Sequence, residues 1–138
     1  MKKIVITVLM ISIGLYADFS KSGNIVTDST TGLQWQDDAV GSTMTWQSAI
    51  DYCEALVLDS YDDWRLPNKN ELITIIDYDV SNPAMDNHFQ NTISNRYWSS
   101  TTHASNTSHA WFVGFSYGDT DYDRKYYSNY VRCVRAGQ

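Results

Sequence analysis

Trp64-Arg65-Leu66-Pro67-Asn68-Lys69-Asn70-Glu71-Leu72 reads as an extended segment running into a capped helix. Pro67 disfavours helical backbone at Leu66 and holds that residue extended. Asn68 suits the cap, where its side-chain oxygen accepts from a free backbone N–H of the first turn. Glu71 stands three residues later and can reach back to the Asn68 N–H, completing a capping box with Asn in place of Ser or Thr. Leu66 and Leu72 flank the cap and are placed to staple the chain's approach to the helix. The helix does not require the Trp64-Arg65 pair ahead of Pro67. That pair points to a buried indole beside a guanidinium with a fixed internal partner, so the stretch reads as a fold signature.

Upstream, Ile25-Val26-Thr27 and Leu33-Gln34-Trp35-Gln36 predict a hairpin around residues 28–32, where Asp and Gly supply the turn. Thr45 caps a predicted helix running to about Leu58. Trp46, Ala49, Ile50, Cys53, Leu56 and Val57 recur by three and four along it, one buried stripe with Cys53 facing inward. The second helix is predicted from about Lys69 to Asp77, burying Leu72, Ile73 and Ile76. Residues 79–96 are polar and irregular, with a turn at Asn82-Pro83. Tyr97-Trp98-Ser99-Ser100 and residues 110–115 predict strands, the second with Trp111, Val113 and Phe115 on one face and Phe112 on the other. Gly118 breaks that run, residues 119–130 are dense in Asp and Tyr, and Tyr130 to Arg135 alternates as a last strand with Cys133 inward. There is no repeat, low-complexity stretch or Pro-rich linker. These elements alone predict an α+β domain.

Six blocks in order resemble the Lcl C-terminal domain family (DUF1566), named for the C-terminal domain of the Legionella collagen-like adhesin. They are residues 31–35 (TGLQW), 45–53 (TWQSAIDYC), 63–72 (DWRLPNKNEL), 97–102 (YWSSTT), 110–113 (AWFV) and 130–135 (YVRCVR). Together with the element order, the resemblance implies a C-type lectin-like fold: two helices packed on short antiparallel strands with long loops. On that fold Trp35, Trp46, Trp64, Arg65, Pro67, Trp98, Trp111 and Arg132 are structural. The Arg65-Leu66-Pro67 block is also similar to one in formylglycine-generating enzymes. Those use a reactive cysteine pair, whereas both cysteines here are read as structural.

Lys2 and Lys3 precede an apolar run from Ile4 to Ala17, the pattern of a secretory signal peptide over residues 1–17. The run is shorter than the ~18–20 residues a bilayer-spanning helix needs. Residues 18–138 are read as one domain, secreted or periplasmic, with no membrane insertion after cleavage. Removing the two lysines takes the net charge from −6 to −8, so the domain repels nucleic acid and anionic membrane surfaces. In an exported chain the two cysteines, Cys53 and Cys133, favour a disulfide; two buried free thiols are the alternative. Such a bridge is worth about 4.5 kcal/mol by loop-closure entropy. Arg65 and Arg132 both sit in apolar blocks and are expected to snorkel or to pair with acids, Asp63 and Glu71 being the local ones.

The candidate ligand surface is Tyr117, Asp119, Asp121, Tyr122, Asp123, Tyr126 and Tyr127. Tyrosines stack on the apolar faces of sugars while carboxylates accept from hydroxyls, and exposed aromatics in number mark contact surfaces. The alternating acids also resemble the opening of a calcium loop, but Arg124 and Tyr130 stand where Gly and Glu would be required. On a strand those acids would share one face, where they either blunt an edge against pairing or, as the weaker alternative, gather a calcium ion. The sugar-binding motifs of calcium-dependent lectins are absent, so no cofactor is expected. His88, His103 and His109 show no ligand spacing, and no nucleophile–base pattern stands out. The expected function is therefore an exported non-enzymatic binding module for a glycan or surface protein. A periplasmic interaction subunit without glycan affinity and a polysaccharide hydrolase are the alternatives. The family's adhesin is similar in this domain but binds sulfated polysaccharides and trimerises through a collagen-like stalk. This sequence is acidic and carries no collagen repeat.

Overall fold

A computed structural model describes residues 18–137. The predicted signal peptide lies outside the described residues. The strands β1 (Phe19–Ser22), β2 (Ile25–Asp28) and β3 (Leu33–Gln36) are followed by the helices α1 (Trp46–Ala55) and α2 (Lys69–Ile73). Then come β4 (Arg96–Thr102), β5 (His109–Gly114), β6 (Asp119–Arg124) and β7 (Val134–Ala136). The strands form two antiparallel sheets, ordered β1-β2-β3-β7 and β4-β5-β6. The domain is α+β, with two short helices.

The Trp64–Leu72 stretch joins these parts. Asn68 accepts from the Glu71 N–H at 2.8 Å, and Glu71 accepts from the Asn68 N–H at 3.0 Å, so the capping box forms as predicted. Upstream of the cap, Arg65 pairs through its backbone with Val134, extending the first sheet past β7. Pro67 then accepts from the Ser100 N–H at 2.8 Å, and Thr101 Oγ1 accepts from the Lys69 N–H at 2.9 Å. Within five residues the chain is therefore bonded to both sheets and starts a helix. Leu66 and Leu72 are both buried but lie in different core clusters, so they do not staple together.

The three-stranded sheet lies between the helices. Strand alternation sends Tyr97 and Val113 to one side, where they pack with Leu72 of α2, Ile75 and Phe115. Trp98, Ala110 and Phe112 go to the other side, against Ala49 and Cys53 of α1. Because both faces are covered, residues 110–113 are a continuous apolar run rather than an alternating one. Trp35, Val26 and Val134 of the first sheet complete the α2-side cluster. Gly118, at φ +84°, turns β5 into β6 where a Cβ would stand 2.6 Å from the Ile76 side chain. Only glycine fits both demands.

Several boundaries differ from the sequence expectations. β1 pairs with β2 through a turn at Gly23-Asn24, although its sequence, Phe-Ser-Lys-Ser, carries a single apolar residue. α1 stops at Ala55 because Leu56 is already extended, which turns Val57 off the stripe to 68% exposure. Thr45 precedes α1 with extended backbone, but its hydroxyl donates to Ser48 rather than capping the helix. α2 ends at Ile73, and Ile75 rather than Ile76 is the fully buried residue beyond it.

The arginines also part company. Arg65 is half exposed and makes a two-pronged bond to Glu71, 2.7 Å on each arm, which holds the Glu71 carboxyl below its usual value. Asp63 belongs instead to Arg135, at 2.6 and 3.1 Å. Arg132 is buried, with its side chain 3% exposed, and its acid is Asp37, at 0% exposure and 3.0 Å away. Arg132 also donates to the Gln36, Asn91 and Thr92 oxygens. Asp37 further accepts from the Lys21 ammonium and from the Gln90 and Asn91 amides. Burial pushes the Asp37 carboxyl up, but these donors outweigh it and hold the group below its ordinary value of 3.8.

Cys53 and Cys133 form a disulfide, Cα atoms 5.5 Å apart, as the cysteine count predicted. Replacing both by Ser should cost about 4 kcal/mol in denaturant melts. Arg132→Met should cost roughly 3–5 kcal/mol by stranding buried Asp37, while Arg65→Met, on a half-exposed pair, should cost under about 1 kcal/mol. Equal losses in thermal melts would contradict the assignment of the buried role to Arg132. Because the folded chain holds Asp37 ionised where the unfolded chain protonates it, this stability is complete above the ordinary value. It is lost as pH falls through the depressed folded value, and Asp37→Asn should remove that part of the acid limb.

Candidate functional site

The seven residues of the candidate surface fall in three places. In β6, Asp119, Asp121 and Asp123 project from one face and Tyr122 from the other. Tyr117 sits in the β5–β6 turn, while Tyr126 and Tyr127 lie past the far end of the strand. About 17 Å of strand separates the two ends. A single patch holding all seven is therefore not formed.

The acids serve their own strand. Asp121 Oδ1 accepts from the Tyr122 N–H at 2.8 Å, and Asp123 Oδ1 accepts from the Arg124 N–H at 3.1 Å. Asp123 also accepts from the Asn129 side-chain amide at 3.4 Å and lies 3.6 Å from the Arg96 guanidinium. Asp119 crosses Gly114, where a Cβ would stand 2.5 Å from its Oδ1. Among the described residues no group of three or more His, Cys, Asp or Glu side chains is placed to hold a metal ion. At the far end, Arg124 donates to the Tyr126 hydroxyl at 2.6 Å and holds that phenol below its ordinary value. Tyr127 meets Tyr126 edge-on at 4.9 Å between ring centres.

A different cluster assembles on the opposite face. α2 covers Tyr97 and Val113 but begins at Lys69, so Trp111 lies beyond the helix. The register sets Trp111 directly opposite Tyr122. Their rings meet edge-on with centres 5.6 Å apart. His103 closes on Tyr122 at 4.2 Å and on Trp111 at 5.3 Å, and His109 meets Tyr122 edge-on at 5.5 Å. The Lys69 ammonium lies 4.1 Å from the Trp111 ring centre. His103 Nδ1 accepts from the Asn106 N–H at 3.2 Å, which leaves Nε2 to carry the proton of the neutral ring. Tyr122 remains 45% exposed. The result is a packed corner of two aromatics and two imidazoles, with a cation over the Trp111 ring.

In the sequence Trp111 reads as structural and the histidines are unconnected. The missing information was register. Gly114 opposite Asp119 across the turn fixes Trp111 opposite Tyr122, and the polar loop 103–108 folds His103 back onto the pair. The five tryptophans divide accordingly: Trp35, Trp64 and Trp98 are buried, while Trp46 and Trp111 are half-buried.

Two other features carry less chemistry. An open groove of about 400 Å³ is lined by Phe19, Ile75, Ile76, Tyr78 and the carboxylates of Asp77, Asp79 and Asp86. Asp77 and Asp86 accept there from the amides of Asp79 and His88. Ser108 Oγ lies 3.3 Å from His109 Nδ1 but donates to Asn106 at 2.6 Å, so the imidazole does not activate it.

The Lcl C-terminal domain model matches residues 24–135, from the β1–β2 turn into β7. The chain belongs to the Lcl C-terminal domain family. No curated protein matches it. Membership associates the domain with secreted adhesins rather than with a known enzyme family. The match covers both sheets except β1 and the last residue of β7, together with both helices, both cysteines and the Trp111–Tyr122 corner of this Lcl C-terminal domain.

Arg124→Ala should raise the pH at which Tyr126 ionises, because the mutation removes both the donor and the positive charge beside the phenolate. Ultraviolet alkaline titration of the two proteins reads this directly. Superimposable curves would rule out the Arg124–Tyr126 bond in solution.

Proposed function

We propose that the protein is an exported, non-enzymatic recognition domain that binds a glycan in the manner of an adhesin. The observation that carries this reading is the Trp111–Tyr122–His103–His109 corner, a preorganised aromatic surface on the rigid end of a sheet. Aromatic rings take the apolar faces of sugar rings, and the Lys69 ammonium and the imidazole N–H groups offer donors to sugar oxygens. Holding the rings by packing before the ligand arrives limits the conformational entropy lost on binding.

The fold is read as C-type lectin-like. Its support is the order of elements, with a disulfide from the first helix to the last strand segment. The proposal places the mature chain in the periplasm or outside the cell after cleavage near Ala17, without insertion into the membrane. The acidic balance of the chain disfavours nucleic acid as a partner. No cofactor enters the proposal, because Asp121 and Asp123 are engaged by their own strand and its neighbours.

A glycan array probed with oxidised residues 18–138 tests the function. Binding is expected to be equal with calcium and with chelator, reduced at least tenfold by Tyr122→Ala, and unaffected by Tyr117→Ala, which lies at the other end of β6. Turnover of any bound glycan would make the domain a hydrolase instead. Silence across the array would remove the glycan and direct the search to a protein partner.

A further inference from the structure

We propose that the outer edge of β6 is a strand-pairing surface that Asp121 and Asp123 hold shut against a second copy of the chain. β6 is the terminal strand of its sheet. Just past its end, Lys125 donates its N–H to the Ser108 carbonyl at 2.9 Å. Antiparallel strands alternate between bonded and non-bonded pairs, so Asp119, Asp121 and Asp123 direct their peptide groups at β5. Thr120, Tyr122 and Arg124 direct theirs outward, where another strand could add along Thr120 and Tyr122; the Arg124 carbonyl already accepts from the Tyr127 N–H at 2.8 Å.

Two of those three outward amides are already occupied. The Tyr122 N–H goes to Asp121 and the Arg124 N–H to Asp123, each carboxylate folding back over the residue that follows it. An arriving strand must displace both. A second obstacle comes from parity. A hydrogen-bonded antiparallel register sets outward residues against outward residues, so even numbers face even and odd face odd. In every such register that overlaps the middle of β6, an Asp of one copy stands directly opposite an Asp of the other. Like charges directly opposite destabilise a strand pair. Without the two acids, the edge would present Thr120 and Tyr122, residue types that favour strands, on an unprotected ladder.

The β4 side of the same sheet needs no such guard. Trp98 donates its N–H to the Tyr130 carbonyl, Tyr130 donates to Arg96, and Ser100 donates to Pro67. Acids of this kind are thus concentrated on the side that lacks a neighbouring strand among the described residues.

Sedimentation velocity at matched concentration tests the proposal. The weight-average mass of Asp121→Ala/Asp123→Ala should rise about twofold over that of the unmodified chain, as for a two-fold dimer. Asp121→Ala alone, which spares the Arg96 and Asn129 contacts of Asp123, should shift the mass in the same direction. Adding Thr120→Pro, which removes the third outward N–H without breaking a bond to β5, should return the double variant to the unmodified mass. An unchanged mass in both Asp variants, with native circular dichroism, would overturn the proposal. A rise that survives Thr120→Pro would overturn it equally, since the contact would then lie elsewhere.

Discussion

The buried pairing of Asp37 with Arg132 is the constraint on which the rest of the domain hangs. Neither charge would tolerate the interior alone, and each is matched by further donors or acceptors from a different part of the chain. Lys21 comes from β1, the amides of residues 90 and 91 from the irregular region before β4, and Arg132 from the residue before Cys133. Four segments with no local reason to meet are therefore held at one point. Exchanging such a pair for apolar residues can be neutral or stabilising, whereas removing one partner is costly. Its contribution here is one of placement: it fixes the position from which the chain runs through Cys133 into β7.

β7 in turn receives Arg65, and from there the Trp64–Leu72 stretch transfers order to the second sheet. Arg65 is bonded to β7, Pro67 and Lys69 to β4, and the helix cap sits between them. Because Lys69 is the first residue of α2, the same cap that starts the helix also sets the ammonium over Trp111. The aromatic corner is thus tied through the cap to the first sheet, and its rigidity originates in hydrogen bonds some distance from the rings.

Much of this was legible in the sequence wherever the determining interaction was local. The capping box needs only Asn68 and Glu71, the first hairpin only Asp28 and Gly32, and the disulfide only the number of cysteines and the expectation of an exported chain. The illegible parts depend on partners far apart. Asp37 and Arg132 are separated by 95 positions, beyond the reach of local pattern; of the local acids, Glu71 pairs with Arg65 as expected, while Asp63 pairs with Arg135. The candidate surface was assembled by proximity in sequence, but strand alternation sends Asp121 and Tyr122 to opposite faces. The Trp111–Tyr122 pair required the register of β5 on β6, and β1 was hidden because only one of its four residues is apolar.

The disulfide also has a mechanical meaning. Everything between Cys53 and Cys133 is covalently closed, including α2, the whole second sheet and the aromatic corner. Tension applied on either side of the two cysteines passes through sulfur and cannot draw out the 80 positions that separate them. About 280 Å of contour length is thereby withheld from stretching. Under load the first sheet can peel and α1 can lose its first turns, while the loop that carries the ring cluster is spared the pull for as long as the bridge is oxidised.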